Sequence, residues 1–448
     1  VSKRPIILAA ALVFLVTLIA FAHVARCRTT NWDDEEYLRA AQLPLSKILT
    51  TFVVPMYHPL TMLSLKAEIL LAPGNDALLH ETNAVIHAAT AALLVVLLWQ
   101  LTGSLIGATA GALLWSVHPL RVESVAWLVE RKDVLYAFFF VAALIAYMRR
   151  MRVATMLLYI ASLLSKPAAV TLPVVMLAID FVERRPLDRR AIVEKVPYFV
   201  LAIIFGIVGI AANRALPQTM PGFKLSLATN AFLSFRAIAM YLERTIVPLN
   251  LSALYPYPHS FGASEWIAPF IVFAIIAVAI ASLRRTRAIA FAAIFFFATI
   301  GVTLPLIAKA WAMAADRYTY VPSIAFSYLA ALAIQRWRAA LVISAIAIVA
   351  LALATNARIA VWRDSVTLWS SVIDYDDSIE LAYNSRGVAL AQAGLDALAR
   401  ADFDRAVALS PCYSGALENR AVLSHREHRD ADADRDLRRA AACGPNAR

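Results

Sequence analysis

Cysteine is scarce in this chain: three in 448 residues, Cys27, Cys412 and Cys443. Their spacing matches no metal-binding pattern and suggests no disulfide framework, which sets aside a zinc module and a disulfide-built scaffold. Glycine is also scarce, at 13 residues, and only 16% of the chain is charged. Acidic residues number 31 against 42 basic ones, a net charge of +11. A nucleic-acid partner is not the reading of that excess. Most basic residues stand in short clusters between apolar runs, where the positive-inside rule accounts for them.

What is abundant is hydrophobic sequence, 61% of residues with a mean hydropathy of +0.68. A soluble domain of this length has no core large enough to hide that much apolar surface. Apolar runs of the length that crosses a bilayer, about 20 residues, recur from Pro5 to Ala354. The run Pro5 to Val24 follows Lys3-Arg4 and lacks an A-x-A cleavage site, so it reads as an uncleaved first span rather than a signal peptide. The predicted fold is all-α: a polytopic membrane domain over residues 1–356, then a short helical-repeat domain over residues 357–448.

About eleven spans are predicted, near 5–24, 79–101, 105–117, 133–148, 153–165, 167–182, 196–212, 266–283, 288–306, 320–334 and 339–356. With that number, Lys3-Arg4, Arg149-Arg150-Met151-Arg152, the stretch 183–195, Arg284-Arg285-Thr286-Arg287 and Arg336-Trp337-Arg338 share one side, the cytoplasm. Two segments test this parity. Lys166-Pro167 breaks the stretch 153–180 into two short helices. The stretch 230–247 carries Arg236, Glu243 and Arg244, and charges at a helix centre cost about 2.5–3.5 kcal/mol each. It reads as an amphipathic helix on the outer surface. Residues 25–78, 118–132, 213–265, 307–319 and everything after about 357 are then outside.

The tail repeats with a period of 34 residues. Gly387, Ala399, Phe403, Ala406 and Pro411 recur as Ala421, Ala433, Leu437, Ala440 and Pro445, and Tyr383 recurs as Leu417. Small residues at fixed positions and a closing proline form the tetratricopeptide pattern. One step back, Trp369, Val372 and Asp377 make a half repeat. An array this short leans on its neighbour or on a partner. It serves either as a groove for an acceptor polypeptide or as a solubilising cap.

The polar residues crowd into the outer loops. NWDDEEYL (31–38) follows the first span directly. Its acids could simply open a helix, but adjacent carboxylates such as Asp33 and Asp34 can also deprotonate a hydroxyl or hold a divalent cation, the only cofactor the sequence suggests. Tyr57-His58-Pro59 lies in the same loop. His80, Asn83 and His87 share one face of the next helix, a face that should look into the bundle. HPLRVESVAWLVERKDVL (118–135) packs His118, Arg121, Glu123, Glu130, Arg131, Lys132 and Asp133 between two spans. Mixed charge at that density suits an anionic headgroup with hydroxyls, although a salt-bridged loop would look the same. Lys166 at the helix break needs an anion nearby or a snorkelling path to the surface. ADRYTYVPS (315–323) adds Asp316, Arg317 and Tyr318, with Lys309 upstream. Basic residues on the outer side run against the positive-inside trend and favour a phosphate ligand there.

Taken together, NWDDEEYL, YHPLTMLS (57–64), HPLRVESVAWLVERKDVL, LSKPAAVTLP (164–173), ADRYTYVPS and WRDSVTLW (362–369) resemble one family. It is the transmembrane-and-tetratricopeptide-repeat O-mannosyltransferases of the endoplasmic reticulum and their bacterial relatives, of the GT-C class, with the 118–135 block most like the bacterial branch. The resemblance implies inverting transfer of a sugar from a polyprenyl-phosphate donor to an acceptor hydroxyl, in a bacterial inner membrane with periplasmic repeats, or in the endoplasmic reticulum with luminal repeats if the source is eukaryotic. It makes Asp33 and Asp34 the catalytic pair and maps donor-phosphate contacts onto Arg131, Lys132 and Arg317, with Lys166 beside them. His58, His87, His118, Glu123, Asp133 and Tyr318 are supporting candidates. The family often carries many more repeats than this tail. Two other classes compete: a non-catalytic scaffold that recruits partners through its repeats, and a lipid flippase. The flippase would need charges at the midplane of several spans, and here they sit at the ends.

Overall fold

The structure, a computed structural model, describes all residues except 1–2, 55, 187, 215–224, 259, 309, 311 and 444–448. Lys309 and Pro445 therefore lie outside the described residues. Helices account for nearly all the regular structure, and no β-strand occurs among the described residues. In chain order they are α1 (Arg4–Ala20), α2 (Asp34–Ala41), α3 (Leu45–Ile48), α4 (Pro59–Leu71), α5 (Asp76–Thr102), α6 (Leu105–Ser116), α7 (Val122–Ala126), α8 (Arg131–Met148), α9 (Arg152–Ser165), α10 (Leu172–Val182) and α11 (Arg189–Asn213). Then follow α12 (Leu227–Ile246), α13 (Ala263–Ser282), α14 (Ala288–Gly301), α15 (Ile324–Arg336) and α16 (Arg338–Ile359), and the tail helices α17 (Ser365–Tyr375), α18 (Glu380–Gln392), α19 (Asp396–Leu409), α20 (Ser414–Arg426) and α21 (Asp430–Cys443).

Among the described residues five helices are long and apolar enough to cross a membrane: α1 with the turn that continues it, α5, α11, α13 and α16. Five shorter apolar helices accompany them: α6, α9, Pro167–Val182, α14 and α15. Bare apolar faces are the expected state of helices against lipid: Ile203, Ile207 and Ile210 of α11 and Ile343, Ile346 and Leu353 of α16 are all more than half exposed. Small residues let other helices touch closely. A Cβ on Gly107 of α6 would meet the Ala331 carbonyl oxygen of α15 at 2.4 Å, and one on Gly111 the Ser327 oxygen at 2.7 Å. The chain breaks at Lys166, which is extended at φ −156° and ψ 130°, because the residue before a proline is pushed out of the helical region. α12 is not among the membrane-length apolar helices. Its Arg236 pairs with Glu265 of α13 at 3.4 Å, and Arg244 at its end is buried.

The tail helices pack in succession. Arg386 forks onto both oxygens of Asp402 at 2.8 Å each, and 34 residues on Arg420 forks onto Asp436 at 2.7 Å each. The period read from apolar and small residues is thus repeated by a salt bridge. Gly387 is required where it stands, since a Cβ would meet the Phe403 ring at 2.7 Å. The cysteines require a correction. Cys412 and Cys443, 31 residues apart in sequence, form a disulfide. No spacing rule revealed it, because the helical hairpin of α20 and α21 brings the two ends together in space.

Candidate active site

The loop after the first span is held from two directions. Asn31 accepts from Trp369 Nε1 at 2.7 Å, donates through Nδ2 to the Ser385 carbonyl at 2.7 Å, and its backbone N–H donates to Ser365 Oγ at 2.9 Å. Trp32 lies between Trp127 and Trp369, with ring centroids 4.8 and 4.9 Å away. Trp127 in turn stacks on Trp362 at 5.5 Å. The first half of NWDDEEYL therefore keys the tail to the loops above the membrane domain, and the second half faces the charged cluster.

The two aspartates part company here. Asp34 is fully buried, and its Oδ2 accepts from the Thr30 N–H at 2.6 Å and the Thr30 hydroxyl at 2.9 Å. Burial pushes its carboxyl up to about 7 against those two hydrogen bonds. Among the described residues its Oδ1 accepts no hydrogen bond and the buried Trp127 Nε1 donates none, yet Trp127 is near enough to favour the charged form of Asp34. Asp33, at the head of α2, is half-buried, and its side chain caps no backbone N–H. Among the described residues no hydrogen bond or ion pair holds its carboxylate. Burial raises its pKa, while Lys132 and Arg317 pull it down. Glu35 and Glu36 are exposed, a solvated helix start.

Glu130 is the hub of the cluster. Its Oε1 receives Lys132 Nζ at 2.9 Å and Arg317 Nε at 3.2 Å, and Lys166 Nζ lies 3.6 Å from its Oε2. Burial works against this carboxylate, but the cations win and hold it below the usual range. Arg317 also pairs with Glu123, through Nη1 and through its own N–H at 3.0 Å. Burial lifts the Glu123 carboxyl to about 7, with Arg317 opposing. Lys166 pairs with Asp133, which also accepts from Ser124 Oγ at 3.0 Å. Lys132 sits over the Tyr37 ring at 4.8 Å, and Arg317 over Tyr318 at 4.9 Å and Trp127 at 5.3 Å. His58, buried and stacked on Tyr37 at 5.2 Å, has both ring nitrogens without a hydrogen bond, and burial together with Lys132 pushes its pKa down to about 3.

The structure thus brings together Asp33, Asp34, Lys132, Lys166, Arg317, Glu123, Asp133, His58 and Tyr318. Three candidates fall elsewhere. Arg131 has no exposed surface, and its guanidinium is consumed by Glu68 at 2.8 and 3.0 Å, Ser64 at 2.8 Å, the Leu79 carbonyl at 2.7 Å, and Asn83. It ties α4 and α5 to α8 and offers nothing to a phosphate. His87 bonds Tyr320 at 2.5 Å and the Ser116 carbonyl at 2.9 Å, a satisfied core histidine. His118 donates to the Thr245 carbonyl at 3.1 Å and accepts from Leu120 N at 3.2 Å. Burial holds it neutral, its pKa down to about 3. Glu130, Trp127 and Tyr37 were not singled out as site residues, although all three lie in motifs whose density of charged and aromatic residues marks them. Among the described residues no group of three or more His, Cys, Asp or Glu is arranged to hold a metal ion.

Fold and site define an all-helical membrane protein with a buried ionic cluster under a helical tail. Over 335 residues it is 24% identical to a protein O-mannosyl-transferase of Caenorhabditis elegans, covering 68% of this chain and 46% of that one. Over 94 residues it is 34% identical to protein O-mannosyl-transferase TMTC1 of Mus musculus, 21% of this chain and 10% of the relative. Over 110 residues it is 31% identical to protein O-mannosyl-transferase TMTC4 of Homo sapiens, 21% of this chain and 15% of the relative. The chain thus spans less than half the length of these curated relatives. No family model matches it, and no solved structure does.

Proposed function

We propose that this chain is a GT-C glycosyltransferase of the bacterial branch that moves a sugar from a polyprenyl-phosphate donor to a hydroxyl of a polypeptide, at the outer face of the membrane and with inversion. The names of its relatives support glycosyl transfer, mannose as the sugar and protein as the acceptor. The observation that carries the mechanism is the Asp33 carboxylate: half-buried, bound by no hydrogen bond, in the field of Lys132 and Arg317. Asp34 is committed to Thr30, so Asp33 is the base of the pair. The acceptor oxygen attacks the anomeric carbon as the bond to phosphate breaks. The hydroxyl proton passes to Asp33, and the phosphate leaves as an anion stabilised by nearby cations. A phosphate leaving group needs no acid catalyst. Lys132, Lys166 and Arg317 are already paired with carboxylates, so in this reading donor binding rearranges those pairs.

Eleven crossings with an extracytoplasmic tail complete the proposal. The disulfide Cys412–Cys443 suits an oxidising compartment on the tail's side. The tail is read as a tetratricopeptide-type array that presents the acceptor. The test is transfer from a polyprenyl-phosphate-linked mannose to a serine- and threonine-rich peptide by purified protein in proteoliposomes. Mannosyl-peptide formed by the wild type and lost in Asp33→Asn is the expected result. Equal transfer by the two would overturn the assignment of the base, and no transfer from any polyprenyl-phosphate sugar would overturn the activity.

A further inference from the structure

Across the turn formed by residues 316–319, cations outnumber carboxylates. Asp316 accepts from the Tyr255 hydroxyl at 2.8 Å and lies 3.9 Å from Arg244 Nη1. Arg121, Arg244 and Arg358 all act on this one carboxylate. Each keeps a buried N–H without a hydrogen-bond partner: Nε of Arg121, Nη1 of Arg244 and Nη2 of Arg358. Arg121 is 1% exposed and Arg244 8%. The bonds they do make are to neutral groups, Arg121 to the Thr319 carbonyl and hydroxyl at 2.9 and 2.6 Å and Arg244 to the Tyr375 hydroxyl at 3.3 Å. Arg121 also feels Asp133 and lies over the Trp115 and Tyr320 rings, and Arg244 lies over Tyr255 at 3.9 Å, yet three buried guanidinium N–H groups have no acceptor among the described residues.

Beside it lies an apolar cavity of about 570 Å³, bounded by α6, α15, α16 and the end of α12, and lined by Arg121 together with Trp115, Phe326, Ala350 and Leu351 among others. The sequence explains the space. Ala347, Ala350 and Ala354 place small side chains on one face of α16, while Ile343, Ile346 and Leu353 of the same helix stand bare toward the surroundings. Among the described residues no carboxylate lines the cavity, and the one imidazole there, His118, has both ring nitrogens engaged by the Thr245 carbonyl and the Leu120 N–H. The groups acting most strongly on Asp33 are Lys132, Arg317, Glu130 and Glu36, none of these arginines. A molecule seated here is held rather than consumed.

We propose that this is a binding site for an anionic phospholipid of the bilayer, its phosphate on Arg121, Arg244 and Arg358 and an acyl chain in the cavity against α16. A phosphate beside Arg121, the one of the three that lines the cavity, supplies an acceptor for its orphaned Nε with Arg244 and Arg358 adding charge across Asp316, and the apolar lining suits an acyl chain.

The test is native mass spectrometry of the purified full chain after equilibration with an equimolar mixture of phosphatidylglycerol and phosphatidylcholine. One retained phosphatidylglycerol is expected, preferred by about tenfold over phosphatidylcholine, whose phosphate is the same but whose choline cation would stand against three guanidiniums. Arg244→Gln with Arg358→Gln should abolish the preference. Ala350→Leu with Ala354→Leu should abolish retention while keeping the guanidiniums and the helical circular dichroism. Equal retention of the two lipids, or retention unchanged in both double variants, overturns the proposal. So does exclusive retention of farnesyl phosphate when it is added as a third component, because the site would then belong to an isoprenyl phosphate. None of these outcomes depends on glycosyl transfer.

Discussion

Two buried ionic clusters sit at opposite ends of α8, one at Lys132 and Asp133 and the other at Tyr147, and differ in how fully their polar atoms are paired. Near the basic stretch 183–195, Asp180 is saturated: Oδ1 takes the Tyr147 hydroxyl at 2.6 Å and Arg185 at 3.0 Å, and Oδ2 takes Lys195 at 2.5 Å. Lys195 donates again to the Ala191 carbonyl at 3.1 Å. At the other end the cluster around Glu130 holds the loose atoms: among the described residues Glu130 Oε2 and both nitrogens of His58 are buried without hydrogen bonds, and the Asp33 side chain caps no backbone N–H. Burial of charge is common to both, so burial alone does not mark a site. A saturated cluster fixes α10 to α8 and α11; one with open valences has something left to bind.

Exchanging one carboxylate for an amide in each cluster should separate the two roles. Asp33→Asn is expected to cut transfer by at least about a hundredfold, the lower end of a general base's contribution, with the melting temperature unchanged. Asp180→Asn should do the reverse, leaving buried Lys195 short of its counter-charge at about 3–5 kcal/mol of stability, with transfer per folded molecule intact. Rate assays and thermal melts on both variants decide it. If Asp180→Asn lost transfer as steeply as Asp33→Asn, open valence would not be the mark of the site.

A second contrast lies within the tail. Trp369 supports the acidic loop directly, while Leu417 is packed among Ala406, Val407 and Ala440 further along. Trp369→Ala removes the donor to Asn31 and one face of the Trp32 sandwich. A small displacement of Asp33 should then lower transfer about tenfold even to a short soluble peptide. Leu417→Ala should loosen the distal helices and spare that reaction. For the same reason, cutting the chain after Ala357 does not isolate acceptor binding, since it takes Ser365, Trp369 and Ser385 away from the loop as well. Equal transfer by wild type and Trp369→Ala would leave the tail without a positioning role.

Arg131 and Lys132 are neighbours in sequence with opposite fates, and they show how far the sequence could be read. The spacing of apolar runs located the helices, and Lys166-Pro167 located the break, because both are local properties. The 34-residue period was legible through Gly387, Phe403 and Ala399 for the same reason. Which way Arg131 points was not legible. Its partners Glu68, Ser64 and Asn83 come from two other helices, and only packing decides that they consume it. Asp33 and Asp34 could not be told apart either, until the turn at Thr30 closed on one of them. Among the cations the contrast is testable. Arg317→Lys should raise the donor KM several-fold, because a lysine cannot reproduce the fork, and should also cost stability, because Glu123 and Glu130 each lose part of their pairing. Arg131→Lys should cost about 1–3 kcal/mol through unpaired acceptors and leave the donor KM alone. Matching KM values for Arg317→Lys and wild type would remove Arg317 from donor binding.

The smallest effect expected is a slope rather than a loss, and it comes from Asp34. Its carboxyl titrates at about 7 in the folded protein against 3.8 for a free side chain, mainly because it is buried. A carboxyl whose folded pKa is the higher one holds its proton more tightly when folded. Its linkage to stability is therefore flat below about pH 4, falls as pH rises and the unfolded chain alone ionises, and levels off above about 7. Glu123, lifted to about 7 as well, acts in the same direction. Asp34→Asn keeps an oxygen for the Thr30 N–H and hydroxyl but cannot ionise. Melts across pH 4–7 should therefore fall less steeply in this variant than in the wild type, by a few degrees over the window. Asp34→Asn with Glu123→Gln should be flatter still, and Thr30→Ala should move the plateau to higher pH, because it strips the hydroxyl hydrogen bond that favours the charged form while the backbone one remains. An unchanged slope in Asp34→Asn would mean that Asp34 stays ionised in its pocket, and the two aspartates would then again be equal candidates for the base.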